Sequence, residues 1–306
     1  MGLRRLALAV VVACFVTVAA TDLTVLARSV TGTATGVEYV QAHEVANGGF
    51  AEPGGSSSPE LTAWAVLGLR AAGGGAGSSA LSYLVAHEAE LTDVTDVELA
   101  AMAETVLGRR PERLLTRIRT ARRPSGRIGP GVNSTTWGVL ALRQAHEKPP
   151  RAAIRYLVRA QRRSGGWGWS PGGAPDSNDT AAAIQALHAT GIRGAPIRRG
   201  LAYLRRLHNR DGGFELTPGH GSDSQSTAWA IQAFLAAGKP VPRGAFRYLH
   251  RMRRNDGSYR YSARYATTPV WVTSQVLPAL GRRPFPLKAS LAMPTSGRAS
   301  SARASV

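Results

Sequence analysis

The sequence predicts an all-α chain folded as an α6/α6 toroid of six helical hairpins, and three observations carry that prediction. A unit built from an aromatic-aliphatic helix, a Gly-Gly-aromatic turn and a Thr-Ala-Trp helix recurs along the chain. Its turn glycines Gly48, Gly126, Gly165, Gly212 and Gly257 are 78, 39, 47 and 45 residues apart, so one degenerate unit fills the first gap and the count becomes six. Within each half-unit the apolar residues follow helical spacing. Alternating inner and outer helices close into a toroid or remain an open solenoid, and spacing alone leaves both available.

Taken in order, residues 1–28 read as a signal peptide or an N-terminal anchor. Arg4 and Arg5 precede an apolar stretch from Leu6 to Ala20, which ends on the small-residue exit Val18-Ala19-Ala20. Leu23 to Ala27 could extend that stretch toward an uncleaved anchor. The toroid is expected over residues 36–284. Its first unit runs from Tyr39-Val40 through Gly48-Gly49-Phe50 to Thr62-Ala63-Trp64 and Gly73. The second, Tyr83-Leu84 to Gly108, has lost its glycine turn, and the third keeps Arg117-Ile118, Gly126, Thr135 and Trp137. The fourth runs Tyr156-Leu157, Gln161, Gly165-Gly166-Trp167 and Asp176 to Gly191; the fifth runs Tyr203-Leu204, His208, Gly212-Gly213-Phe214 and Asp223 to Gly238. The sixth retains Tyr248-Leu249, Gly257, Tyr259 and Trp271. The Ala-rich run Thr227 to Phe234 reads as a buried inner helix, whereas Tyr203 to Asn209 carries Arg205 and Arg206 on a solvated face. Residues 285–306, rich in Ser, Ala and Arg, read as a disordered tail.

Composition excludes several chemistries. The single cysteine, Cys14, lies in the N-terminal apolar run, so a disulfide framework, a Cys-ligated zinc site and a cysteine nucleophile are ruled out for the mature chain. The formal charge of +19 is carried by Arg, since Lys148, Lys239 and Lys288 are the only lysines. For an exported, secreted or cell-surface protein, such a balance points to an anionic envelope polymer or a membrane surface as partner; nucleic acid is not expected. Ala-His-Glu occurs three times, ending at Glu44, Glu88 and Glu147, but no copy completes HExxH. No cofactor or metal is expected.

Arg151-Ala152, Tyr156-Leu157, Gln161 and Gly165-Gly166-Trp167, with their spacing, resemble the QW repeat of squalene-hopene cyclases and the related prenyltransferase repeats. Arg199-Gly200 to Phe214 and Arg243-Gly244 to Tyr259 keep the spacing, with His208 and Arg253 in the Gln place. The resemblance spans roughly residues 36 to 281 and implies the α/α toroid shared by terpenoid cyclases, prenyltransferase β subunits and cobalamin carriers. Asp176-Ser177-Asn178-Asp179-Thr180-Ala181 is similar to the Asp-x-Asp-Asp-Thr-Ala signature of type II cyclases, whose middle Asp protonates the polyene. Here that place is Asn178, and an amide has no acidic proton to deliver. Asp176 and Asp223 each precede a helical Thr by four residues, which also reads as N-capping. Glu60, Asp176 and Asp179 are the remaining candidate acids.

A binding stripe emerges when each helical Thr is taken as origin. Glu60, Asn133, Asn178 and Gln225 lie two residues before it, and Trp64, Trp137, Ala182 and Trp229 two after. Four residues is about one helical turn, so each polar group shares a face with its partner. If that face points into the lumen, it makes an aromatic-walled pocket with a polar rim; if it points between helices, the indoles are core. Trp167, Trp169, Phe214 and Tyr259 near the turns read as packing residues. Three functional classes follow: a toroid binding an isoprenoid or corrinoid in its central cavity without type II cyclase chemistry, a terpenoid cyclase-like enzyme with a displaced acid, and a cobalamin-carrier-like or Arg-rich envelope-adhesive module.

Overall fold

A computed structural model describes residues 35–287. The signal or anchor expected at residues 1–28, and the tail from 288 onward, lie outside the described residues.

Among the described residues the chain forms twelve helices. The first, α1, covers residues 35–41. It is followed by α2 (Pro59–Ala72), α3 (Ser78–Ala86), α4 (Val94–Val106), α5 (Glu112–Thr120), α6 (Val132–Gln144), α7 (Arg151–Ala160), α8 (Ser177–Ala189), α9 (Ala195–Arg206), α10 (Ser224–Ala236), α11 (Ala245–Met252) and α12 (Pro269–Leu280). Helices α2, α4, α6, α8, α10 and α12 each pack on the next, and α12 packs on α2, so the inner ring is closed. The open-solenoid alternative is excluded by that last contact. The outer helices are strongly amphipathic: α11 buries Ala245, Tyr248, Leu249 and Met252 and leaves Arg247 and Arg251 outside. The inner helices are buried along almost their whole length, as their Ala-rich sequence requires.

Five of the six hairpins are tied by one repeated hydrogen bond. The backbone N–H of the residue after the turn glycines donates to the Thr hydroxyl one turn into the following inner helix. The pairs are Phe50 to Thr62 at 2.9 Å, Ile128 to Thr135 at 3.0 Å, Trp167 to Thr180 at 2.9 Å, Phe214 to Thr227 at 2.8 Å and Tyr259 to Thr273 at 2.9 Å. Turn residues also pair across the loop, and in the fifth hairpin this grows into a two-residue antiparallel ladder, β1 (Phe214–Glu215) with β2 (Ser222–Asp223). The expectation that Trp167, Phe214 and Tyr259 are packing residues holds, since all three are fully buried. Trp169 departs from it: 61% of its surface is exposed.

The seam between last and first hairpins is built from close backbone approaches. A Cβ on Gly68 in α2 would come within 2.4 Å of the Ser274 carbonyl oxygen in α12, and one on Gly257 within 2.5 Å of the Thr35 carbonyl oxygen. Gly257 also has φ of +91°, where an L side chain is strained. Glu52, from the first turn, accepts hydrogen bonds from the Val270 and Trp271 N–H groups at 2.9 and 2.8 Å, which satisfies the N-terminus of α12.

The expected boundary at 284/285 falls too early. Phe285 and Leu287 are buried: Phe285 N–H donates to Gln185 Oε1 at 2.8 Å, and Leu287 exchanges two hydrogen bonds with the Gln144 amide. The buried amides of α6 and α8 therefore draw residues 285–287 across the C-terminal ends of the inner helices. A composition-based reading misses this because two apolar side chains in a Ser- and Arg-rich stretch are no signal.

The turn bond makes a stability prediction. Thr227→Val keeps the volume but leaves the buried Phe214 N–H without its acceptor, so it should cost about 1–3 kcal/mol. Urea unfolding of the variant should show a lower midpoint; an unchanged midpoint would show that the bond is not a stabilising tie.

Candidate functional site

The N-terminal ends of the six inner helices surround a cavity of about 570 Å³. With the turn-binding Thr as origin, or Val97 at the matching place in the second hairpin, the residue two before it and the residue two after it line this cavity in every hairpin. The outer set is Glu60, Thr95, Asn133, Asn178, Gln225 and Trp271, and the deeper set is Trp64, Leu99, Trp137, Ala182, Trp229 and Gln275. All the candidates named from sequence are thus brought to one cavity: Glu60, Trp64, Asn133, Trp137, Asp176, Asn178, Asp179, Gln225 and Trp229.

The indoles resolve the two alternatives in a third way. Trp64, Trp137 and Trp229 point into the lumen and pack on one another edge to face, with centroids 5.4 to 5.8 Å apart and planes at 82° to 86°. Phe285 packs against all three at 6.0 to 6.5 Å. The triad therefore forms a floor, with little surface left open, rather than an aromatic wall. Each such pair adds about 0.5–1.5 kcal/mol beyond burial. The rim amides are partly committed as well: Gln275 Oε1 accepts from Gln225 Nε2 at 2.7 Å and from Trp229 Nε1 at 2.9 Å.

Carboxyl groups dominate the polar lining. Asp93 caps α4 by accepting from the Thr95 N–H at 2.7 Å, and Asp176 caps α8 by accepting from the Asp179 N–H at 2.8 Å. Three residues beyond each cap stands a second acid, Asp96 and Asp179. Burial is the main reason the Asp179 carboxyl is pushed up to about 8, followed by the charge of Asp176 and a side-chain hydrogen bond to it, with the Asn133 amide pulling the other way. Asn133 Nδ2 donates to Asp179 Oδ1 at 2.6 Å. Burial also raises Asp176, which the hydrogen bond from Asp179 partly offsets. Lost water around Glu60 raises its carboxyl, and its charged neighbours Asp96 and Asp93 raise it further; Asp96 rises from burial and then from Asp93. Behind this wall Glu98 is wholly buried and held well above the ordinary carboxylate range by the same causes.

Sequence reasoning missed Asp93, Asp96, Trp169, Leu216, Trp271 and Gln275. A usable signal existed for two of them. Asp93-Val94-Thr95-Asp96 repeats the Asp-x-x-Asp spacing of Asp176 to Asp179, but the second hairpin has no glycine turn to set its register. In the sixth hairpin the turn-binding Thr is Thr273, which moves Trp271 to the outer place and gives the inner one to Gln275. Among the described residues no three His, Cys, Asp or Glu side chains are grouped as metal ligands. A second concavity of about 590 Å³ lies outside the ring between Arg210, Arg243, Arg247 and Arg251.

No protein-family profile and no curated protein matches the chain. Solved structures do match its fold. The apo type II terpene cyclase MstE from Scytonema superposes with a TM-score of 0.67 at 15% identity, over 84% of this chain and 98% of that one. A variant of MstE bound to geranylgeranyl dihydroxybenzoate gives 0.67 at 15% over 85% and 98%. A protein from Actinoplanes gives 0.66 at 19% over 83% and 99%, and ent-copalyl diphosphate synthase from Streptomyces platensis 0.54 at 19% over 73% and 50%. The chain has the α/α toroid fold of terpenoid cyclases.

The Asp176–Asp179 pair makes a pH prediction. A carboxyl whose folded pKa lies above its unfolded value stabilises the fold fully below the unfolded value, near 4, and that stability is lost as pH rises through the folded value. Asp179→Asn mimics the protonated acid permanently. Its melting temperature should match wild type near pH 4 and exceed it at pH 8; equal melting curves at both pH values would show that Asp179 ionises normally.

Proposed function

We propose that this protein binds a small apolar ligand in the cavity at the N-terminal ends of its inner helices, without performing type II cyclisation. The observation that carries the reading is the convergence of an indole floor and a ring of amides and carboxyls on a single cavity. Concave sites with an apolar base and a few placed polar groups are the usual small-molecule sites. The MstE complex with geranylgeranyl dihydroxybenzoate supports an isoprenoid as the ligand class. A corrinoid has less support, because residues 285–287 and the indole triad fill the axis from below. Export completes the proposal: Arg4, Arg5 and the apolar stretch from Leu6 to Ala20 support delivery to the cell surface or beyond, where the Arg-rich exterior would meet anionic envelope material.

One observation favours the catalytic alternative. Burial, then the charge of Asp176, pushes the Asp179 carboxyl up to about 8, the direction a displaced acid requires. Its geometry argues against that role. The carboxyl is buried and engaged on both sides, by Asn133 and by Asp176. The place that projects into the cavity one residue earlier holds Asn178.

Two measurements test the reading. Trp169 stands exposed at the cavity rim outside the packed triad, so Trp169→Ala should leave the melting temperature unchanged while weakening binding of geranylgeraniol by about 1–2 kcal/mol, from lost aromatic contact. Titration calorimetry reads this, and absence of any saturable binding to the wild type would overturn the proposal. Purified protein incubated with geranylgeranyl dihydroxybenzoate should return it unchanged; a cyclised product that disappears in Asp179→Asn would instead establish the displaced acid.

A further inference from the structure

We propose that the polar end of the ligand is a cation, an ammonium group carried on an apolar body, held between the carboxyls of α2, α4 and α8 above the indole floor. This rests on the reading of the cavity as a ligand site and adds the charge of what it takes.

Four observations converge. First, the lining carries five carboxyl residues, Glu60, Asp93, Asp96, Asp176 and Asp179, and no Lys, Arg or His, although the chain holds 38 Lys plus Arg. No ion pair among the described residues uses any of the five. Second, Asn133 stands on α6 between the two Asp-x-x-Asp pairs, is only 8% exposed, and presents Oδ1 without a hydrogen-bond donor. A buried acceptor left unpaired is costly, and an N–H at the cavity wall would satisfy it. Third, the floor offers aromatic rings, and Trp169 and Trp271 add two more at the wall. Indole is the ring that attracts an organic cation best. Fourth, the acids are too dispersed to ligate a metal ion, which leaves a larger cation whose charge can reach both pairs.

The helix N-termini bear on the sign of the site. Their partial positive charge favours carboxylates at the caps and in the first turn. Glu60, Asp96 and Asp179 nonetheless remain raised, first by burial and then by their acidic neighbours, so six N-termini do not offset the two effects together. Added positive charge would relieve the second. A diphosphate or carboxylate headgroup would face five carboxyl residues in a lining that carries no Lys, Arg or His.

Three isoprenoids of one chain length separate charge from apolar contact: geranylgeranylamine, geranylgeraniol and geranylgeranoic acid, titrated below their aggregation concentrations at pH 7 and followed by intrinsic Trp fluorescence. The amine should bind about tenfold tighter than the alcohol, as expected for one added charge contact near a protein surface, and the acid should bind weakest. Glu60→Gln with Asp96→Asn should abolish the preference for the amine while retaining binding of the alcohol. Melting curves should show the double variant folded, since it removes repulsion. Equal affinity for amine and alcohol would overturn the cation assignment and leave the apolar-ligand reading standing; saturable binding of none of the three would remove both.

Discussion

The structure depends on one repeated interaction, the hydrogen bond from the turn backbone N–H to a Thr hydroxyl inside the next inner helix. A turn that leaves the outer helix has a buried donor to satisfy, and a helix entering the ring has a first turn without internal partners. The Thr joins the two. In Thr227 and Thr135 the same hydroxyl also donates back to a carbonyl at the start of the helix, Asp223 at 2.6 Å and Gly131 at 2.6 Å. That doubles the restraint and sets both the angle at which the helix enters and its rotation about its own axis. Once rotation is set at the Thr, the residues two before and two after it have no freedom left: both must face the lumen. The repeat therefore serves two ends at once. It folds each hairpin, and it aims two side chains per hairpin at one cavity.

This explains why some of the molecule was legible in its sequence and some was not. Hairpins bearing the full Gly-Gly-aromatic and Thr-Ala-Trp signals declare their register, and the residues assigned from them reach the cavity. The second hairpin lacks the turn, and with it the origin from which Asp93, Thr95, Asp96 and Leu99 could be counted. The sixth misleads, because Trp271 resembles the indole of the other units yet occupies the outer place, while Gln275 stands at the indole position. Closure, which the QW-repeat resemblance implies, was not legible in the spacing for a different reason. It is made by what is missing, the side chains of Gly68 and Gly257, and by Glu52 reaching the N-terminus of α12 from the far end of the chain. Long-range contacts of that kind leave no periodicity.

The lumen shows how a toroid trades volume for stability. Three large residues at the inner positions meet on the axis, and the three remaining places hold Leu99, Ala182 and Gln275, so that the indoles can tilt into one another. Gln275 is the polar exception, and it is used: its carbonyl oxygen takes the Trp229 indole N–H and the Gln225 amide together. A buried indole donor would otherwise be unsatisfied. Phe285 then closes the stack from the opposite end. The outcome is a cavity open only on the side of the helix N-termini, shallower than a continuous channel along the axis would be.

That one-sided opening couples the fold to the electrostatics. Helix N-termini favour acidic caps, and the ring geometry points all six at the same small volume, so local choices that each stabilise a helix accumulate into a field none of them needs singly. Asp93 and Asp176 are explained by capping alone. Asp96, Asp179 and Glu60 are not, since each lies beyond the cap and is raised first by burial and then by its acidic neighbours. On α8 the hydrogen bonds from Asp179 to Asp176 and from the Asn133 amide to Asp179 lower the cost. On the α2 and α4 side no such partner stands among the described residues, and the carboxyls of Glu60 and Asp96 remain turned to the cavity. The Asn133 amide relieves the Asp179 side, whereas Glu60 and Asp96 have no such partner among the described residues, so the polar lining is asymmetric across the cavity.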